Sequence, residues 1–238
     1  GHATLATAHT LFTSRHPQAN LVTFVTRHSG ELIARRAPSP AQATSSPLNA
    51  ADPGPISLDF PAASLVTLES GHRRRAKIVD AVLRAVQGLG ESAIVRVAWW
   101  DGQRSPVVEL PAGTDLQNLH VSPTPLGEIG EIVIMTCPAP TGSGHDIHSR
   151  VFCPALGVPE DPVTGAAHTA LAPFWLLDPH SLSRLSDFQA RESSAPITLR
   201  AKQVSARGGE MELEFDERTR RVQLRGRARR VMRGVIEL

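Results

Sequence analysis

Apolar positions along the chain change period from block to block, and the changes mark its elements. In residues 73–88, Ile78, Val79, Val82, Leu83 and Val86 recur at helical spacing, which predicts a helix with one buried face. Two other stretches, GHATLATAHTLF (1–12) and EDPVTGAAHTALAPFW (160–175), carry small residues on most faces before an aromatic end. That pattern predicts helices buried among other elements. In the second, an acid pair runs into Pro162, which reads as the helix start.

Alternating or continuous apolar runs predict strands at LVTFVTRHS, ELIARRA, ISLDFPA, AIVRVAWW, SPVVEL, EIVIMTC, HSRVFCP, ITLRAKQV, EMELEF, RVQLRG and RRVMRGVIEL. Turns are expected at Ser29-Gly30, Asp101-Gly102 and Arg207-Gly208-Gly209. A short helix is expected from Thr114 to Leu119, a Gly-rich loop at PTGSGHD, and a loop from Leu177 towards Ala195. Residues 38–55 are rich in Pro, Ala and Ser and read as a flexible surface insertion.

The two small-residue helices invite comparison. GHATLATAHTLF and GAAHTALAPFWL both begin with Gly, carry an early His and end in aromatics and leucine. Each is followed by a strand, a Gly turn and two more strands, an order that favours an internal duplication. The second unit has about ninety residues of strands and helix ahead of Gly165, and the first has none ahead of Gly1. The expectation is a first half, 1–66, that is truncated, and a complete second half, 67–238.

Composition changes this picture little. At 41% hydrophobic and 20% charged, the 238 residues are those of an ordinary globular protein with a real core. No apolar run reaches membrane-spanning length, and residues 1–12 do not read as a signal peptide. A net charge of +2 gives no argument for nucleic acid. The basic runs RRRAK and RGRARR lack interleaved aromatics and read as solvated faces. Cys137 and Cys153 form no CxxC pair, so a reducing cytoplasm is the default and both read as small apolar residues.

Candidate chemistry sits at the two helix starts. A helix N-terminus offers unpaired N–H groups and a positive dipole end, and Gly lets a ligand come close. Two such ends facing each other would hold a small anionic molecule, with His2 and Asp161 beside it as general acid/base candidates. For Asp161 a plain N-cap is an equal alternative, and for His2 alone a buried structural histidine is the better reading. The loop residues His145, Asp146 and His148 offer a metal hydrolase as a rival, but no further ligand stands at a recognised spacing beyond HDIH.

GHATLATAHTLF, SRVFCPALGVPEDPVTGAAHTALAPFW and the downstream KQVSARGGEMEL resemble the PhzF-like isomerase family of phenazine biosynthesis. The resemblance covers nearly the whole chain and is weakest at 38–55. It implies an α+β, diaminopimelate epimerase-like fold: two pseudo-repeated halves, each a β-barrel-like sheet around a central helix, with the site between the helix starts. It implies a cofactor-free isomerase, commonly a homodimer, acting on a small carboxylate-bearing molecule. The best-known member shifts a proton and a double bond in a hydroxylated dihydroanthranilate.

The family's essential Glu lies upstream of GHA and has no counterpart by position here; Glu160 belongs to the other half. The residues that match supporting roles are His2 and Asp161. Gly1, Ala3, Gly165, Ala166, Ser205, Arg207, Gly208 and Gly209 match the cleft border. A Ser common in the family is Ala166 here. The sister racemases carry a Cys at each helix start, which this chain lacks. The alternative is an impaired remnant that only binds an anion or self-associates.

Overall fold

The computed structural model describes residues 1–27, 30–37, 54–189, 197–232 and 234. The chain runs α1 (His2–Thr10), extended by wide turns over Leu11–Arg15, then β1 (Leu21–Thr26), β2 (Gly30–Arg36), β3 (Ile56–Pro61) and β4 (Leu65–Thr67). Next come α2 (Arg73–Ala85), β5 (Arg96–Trp100), β6 (Ser105–Glu109), β7 (Val133–Pro138), β8 (Ile147–Cys153) and β9 (Val158–Asp161). The last elements are α3 (Gly165–Leu176), α4 (Pro179–Leu182), α5 (Ser186–Gln189), β10 (Thr198–Gln203), β11 (Gly209–Asp216) and β12 (Arg221–Gly226).

The strands join one continuous sheet in the order β1-β2-β3-β12-β11-β10-β8-β7-β6-β5-β4, with β9 paired to β8. Most neighbours are antiparallel; β6–β7 and β8–β10 are parallel. Two helices are each followed by a three-stranded antiparallel meander: α1 by β1-β2-β3, and α3 by β10-β11-β12. The last strands of the two meanders pair with each other, Leu58 opposite Leu224.

The sheet encloses α3. Ala98, Val107, Ile134, Ile147, Val151, Leu199, Ala201, Leu213, Val222 and Leu224 share one core with Ala167, Ala170, Leu171, Phe174 and Trp175. A helix apolar on all sides needs such a surround. Pro173 has no N–H to give to Thr169, and that carbonyl instead accepts the N–H of Ala63 at 3.1 Å. The link between β3 and β4 is thereby pinned to the helix. The other face of β5–β8 carries Val97, Trp99, Val108, Val133, Met135 and Phe152 and is covered by Ile78, Val79 and Val82 of α2. β6 and β7 are buried along their whole length, and β7 accordingly reads as a nearly continuous apolar run.

Several expectations need correction. α1 is not buried on most faces: Ala8, His9 and Phe12 are, against Ala34, Ile56 and Leu58, while Ala3, Ala6, Thr7 and Thr10 are exposed. Residues 114–119 form turns, not a helix. The Thr114 hydroxyl donates to the Pro111 carbonyl, and Asp115 accepts from the Asn118 amide, so side chains take the backbone groups a helix would use. Residues 227–232 form no strand. The loop after α3 contains α4 and α5. Position 29 of the first turn, residues 38–53 of the insertion, 190–196, and most of 233–238 lie outside the described residues. No described helix is long and apolar enough to cross a membrane.

Candidate functional site

The helix starts of α1 and α3 touch. A Cβ built on Gly165 would fall 2.7 Å from the Gly1 Cα, and one on Gly1 would fall 2.7 Å from the Gly165 Cα. Only glycine at both positions permits this approach. The first N–H groups of both helices have no partner within their helix. Ala3 and Ala166, one in each first turn, are exposed, so both ends open to the same outside. An anion placed there meets two positive helix ends.

His2 lies at this junction. It is exposed, which corrects the expectation of a buried structural histidine. Its Nδ1 lies 2.8 Å from the Val163 carbonyl oxygen. A carbonyl only accepts, so Nδ1 carries the hydrogen and the neutral ring presents its lone pair at Nε2.

Asp161 ends β9, held in place by pairing with Val151 of β8. Its neighbour Glu160 takes a two-pronged ion pair from Arg150, both contacts 2.8 Å, and Arg150 also reaches the Leu119 carbonyl at 2.6 Å. Glu160 is therefore committed to structure. Asp161 is not the N-cap of α3. The helix begins at Gly165, three residues later than Pro162 suggests, and its N-cap is Thr164 in an extended conformation, φ −111° and ψ 96°. The Thr164 hydroxyl donates to Asp161 Oδ2. The loop that follows Asp161 meets the first helix start through the His2–Val163 contact.

The segment from Ser205 to Gly209 buttresses the loop. Ser205 Oγ donates to the Pro162 carbonyl at 2.7 Å and accepts the Gly208 N–H at 3.0 Å. A Cβ on Gly209 would fall 2.5 Å from Val163 Cγ2, so this glycine lets the turn press on the residue that holds His2. Arg207 is exposed on the same turn.

Sequence reasoning missed Thr164, Gln203, His168 and Ser149, a buried polar chain behind the helix start. His168 Nδ1–H donates to the Thr164 carbonyl at 2.8 Å, and its Nε2 lies 3.4 Å from Ser149 Oγ. Ser149 and Gln203 face inward on paired strands, opposite one another. The available signal was a polar residue in the apolar phase of a strand: Leu199, Ala201, Gln203 on β10 and Ile147, Ser149, Val151 on β8.

Burial pushes the His168 ring down to about 4, so it stays neutral where an unfolded histidine would charge. The folded value lies below the unfolded one of about 6.5. Stability is therefore full above about pH 6.5 and falls as pH drops towards 4, by on the order of 3 kcal/mol for this group. Urea unfolding between pH 7 and 4.5 should show a steeper loss for wild type than for His168→Gln. Parallel curves would remove His168 from the account.

The rival sites do not assemble. His145 and His148 rings lie 6.1 Å apart, while Asp146 turns away to accept the Arg200 N–H at 2.6 Å. Among the described residues no group of three or more His, Cys, Asp or Glu could hold a metal ion. Both thiols are buried, and burial pushes Cys137 up to about 12 and Cys153 up to about 11. Neither is an activated nucleophile.

A family model for phenazine biosynthesis-like proteins matches residues 1–234. The mouse phenazine biosynthesis-like domain-containing protein 2 is 30% identical over 99% of this chain and 72% of its own length. An uncharacterized isomerase of Pseudomonas aeruginosa is 29% identical over 100% of this chain and 73% of its own length. Among solved structures, a PhzF-family protein from Enterococcus faecalis superposes with a TM-score of 0.69 at 25% identity, covering 100% of this chain and 73% of that one.

Proposed function

We propose, from the premise that this chain belongs to the phenazine biosynthesis-like family, that it is a cofactor-independent isomerase of a small carboxylate-bearing molecule. The observation that carries the reading is the contact of two helix starts at Gly1 and Gly165, with His2 bonded to Val163 of the loop that follows Asp161. The substrate carboxylate rests on the N–H groups around Ala3 and Ala166. A carbon-bound proton leaves one carbon and returns to another, the double bond moves between them, and no electrons are gained or lost. His2 Nε2 and the Asp161 carboxylate are the groups that accept and return protons. The relation to an isomerase in Pseudomonas aeruginosa supports this class of reaction.

We read the helix-plus-meander order, which occurs twice, as a duplication with halves 1–66 and 67–238. The resemblance further suggests a homodimer. One feature favours the binding-only alternative: exposed Ala166 offers no hydroxyl at a position where the family often has Ser.

The test uses the protein as encoded, including whatever precedes Gly1. It is incubated in deuterated water with a hydroxylated dihydroanthranilate and followed by proton NMR. Deuterium entering a ring carbon together with a shifted double bond supports the isomerase. Line broadening without any exchange overturns it in favour of anion binding alone.

A further inference from the structure

The loop into α3 is held by a side chain from another strand. β10 turns Leu199, Ala201 and Gln203 inward, and all three are fully buried. The Gln203 carboxamide spans residues 161–164. Its Nε2 donates to the Asp161 carbonyl at 2.5 Å, and its Oε1 accepts the Thr164 N–H at 2.8 Å. The carbonyl can only accept and the N–H only donate, so the amide orientation has a single solution.

These two groups are the first carbonyl and fourth N–H of a four-residue segment, the pair that closes an ordinary β-turn. Gln203 stands between them and holds the segment open. The same Nε2 lies 3.4 Å from Thr164 Oγ1, and that hydroxyl donates to Asp161 Oδ2. One amide thus fixes the carbonyl of Asp161, the hydroxyl that grips its carboxylate, and the residue that starts α3. An apolar side chain would fill the same space without a polar group to satisfy.

Resting on the proton-transfer reading above, we propose that Gln203 is a positioning residue for the reaction, aiming the Asp161 carboxylate at the junction of the helix starts. It touches no substrate. Its effect passes through Thr164 and the backbone of Asp161.

The test compares Gln203→Met and Gln203→Glu with wild type in the protein as encoded, using the hydroxylated dihydroanthranilate as probe. Gln203→Met lowers kcat by about a hundredfold, as a misplacement of about 1 Å can do. KM changes little, because the carboxylate rests on the helix ends. In an Asp161→Ala background the same substitution adds no further loss. Gln203→Glu restores the donor only when its carboxyl is protonated, so its kcat, unlike that of wild type, rises as pH falls from 8 to 5.5. A Gln203 that matters for folding alone lowers stability in urea and leaves the kcat of the folded fraction unchanged, which overturns the proposal. An equal loss in both Asp161 backgrounds overturns it as well. Wild type that moves no proton ends the isomerase reading. Amide hydrogen exchange at Thr164 reads the clamp independently of activity: faster exchange in Gln203→Met upholds it, and unchanged exchange refutes it.

Discussion

Replacing Glu109 by alanine lowers the unfolding free energy by about 3 to 5 kcal/mol. Glu109 is fully buried, and its carboxylate joins two guanidinium groups. Arg96 reaches Oε2 at 3.2 Å, and Arg184 reaches Oε1 at 2.7 Å. Arg96 continues to Asp178 at 2.7 Å and to the Phe174 carbonyl at 2.7 Å, and stacks 3.6 Å over the Phe174 ring. The network therefore ties the C-terminal end of α3 to β5 and β6. Burial pushes the Glu109 carboxyl up, and the two arginines pull it back down. Without it, Arg184 loses its carboxylate and the half-buried Arg96 keeps only Asp178. The cost is mostly that of the unpaired charges, so Glu109→Ala/Arg184→Ala should recover part of it. Thermal melting should fall by about 6 to 20 °C in the single variant. A change within about 0.5 kcal/mol would mean water already screens the cluster.

Nothing in the sequence announces this network. Glu109 sits in SPVVEL, where the apolar run alone defines the strand, and its partners lie on β5 and between α4 and α5. Periodicity reports which face of an element is apolar. It does not report which distant charges meet across a core. For the same reason β4 and β9 were missed: three and four residues are too short to show a period, and their pairing with β5 and β8 creates them. The long elements were legible because each carries its own signal. α2 shows a one-sided stripe, and β7 shows an apolar run that fits burial on both faces.

The site was legible in part. The glycines opening GHAT and GAAH marked two helix starts, and Gly1 and Gly165 do meet. The start of α3 was misplaced because Pro162 is a strong local sign of a helix opening. The Gln203 carboxamide takes the Thr164 N–H and holds Thr164 extended, so that the helix opens only at Gly165. A tertiary contact overrode a local preference, and it did so beside the residue proposed to carry chemistry. Asp161 is consequently free of the capping role that an Asp-Pro pair suggests.

Asp161→Ala, made in the protein as encoded, should lower turnover by about 10² to 10⁴-fold, the range of a positioned acid or base. The argument rests on how the carboxylate is held. β9 fixes its backbone through Val151, Gln203 fixes its carbonyl, and the Thr164 hydroxyl occupies Oδ2. Three constraints on one half-buried residue, one of them on its carboxylate, are more than a solvated loop residue needs. Asp161→Asn keeps the shape and can still accept from Thr164, but it cannot take a proton. It should fall nearly as far as the alanine variant, and that separates proton transfer from packing. KM should move less than kcat in both, since the proposed rest for the substrate carboxylate is at Ala3 and Ala166 and not at Asp161. Deuterium incorporation into the substrate carbon, measured by proton NMR, reads the step directly. If Asp161→Asn exchanges at the wild-type rate, the carboxylate is a structural brace for α3 and the proton is moved by other groups.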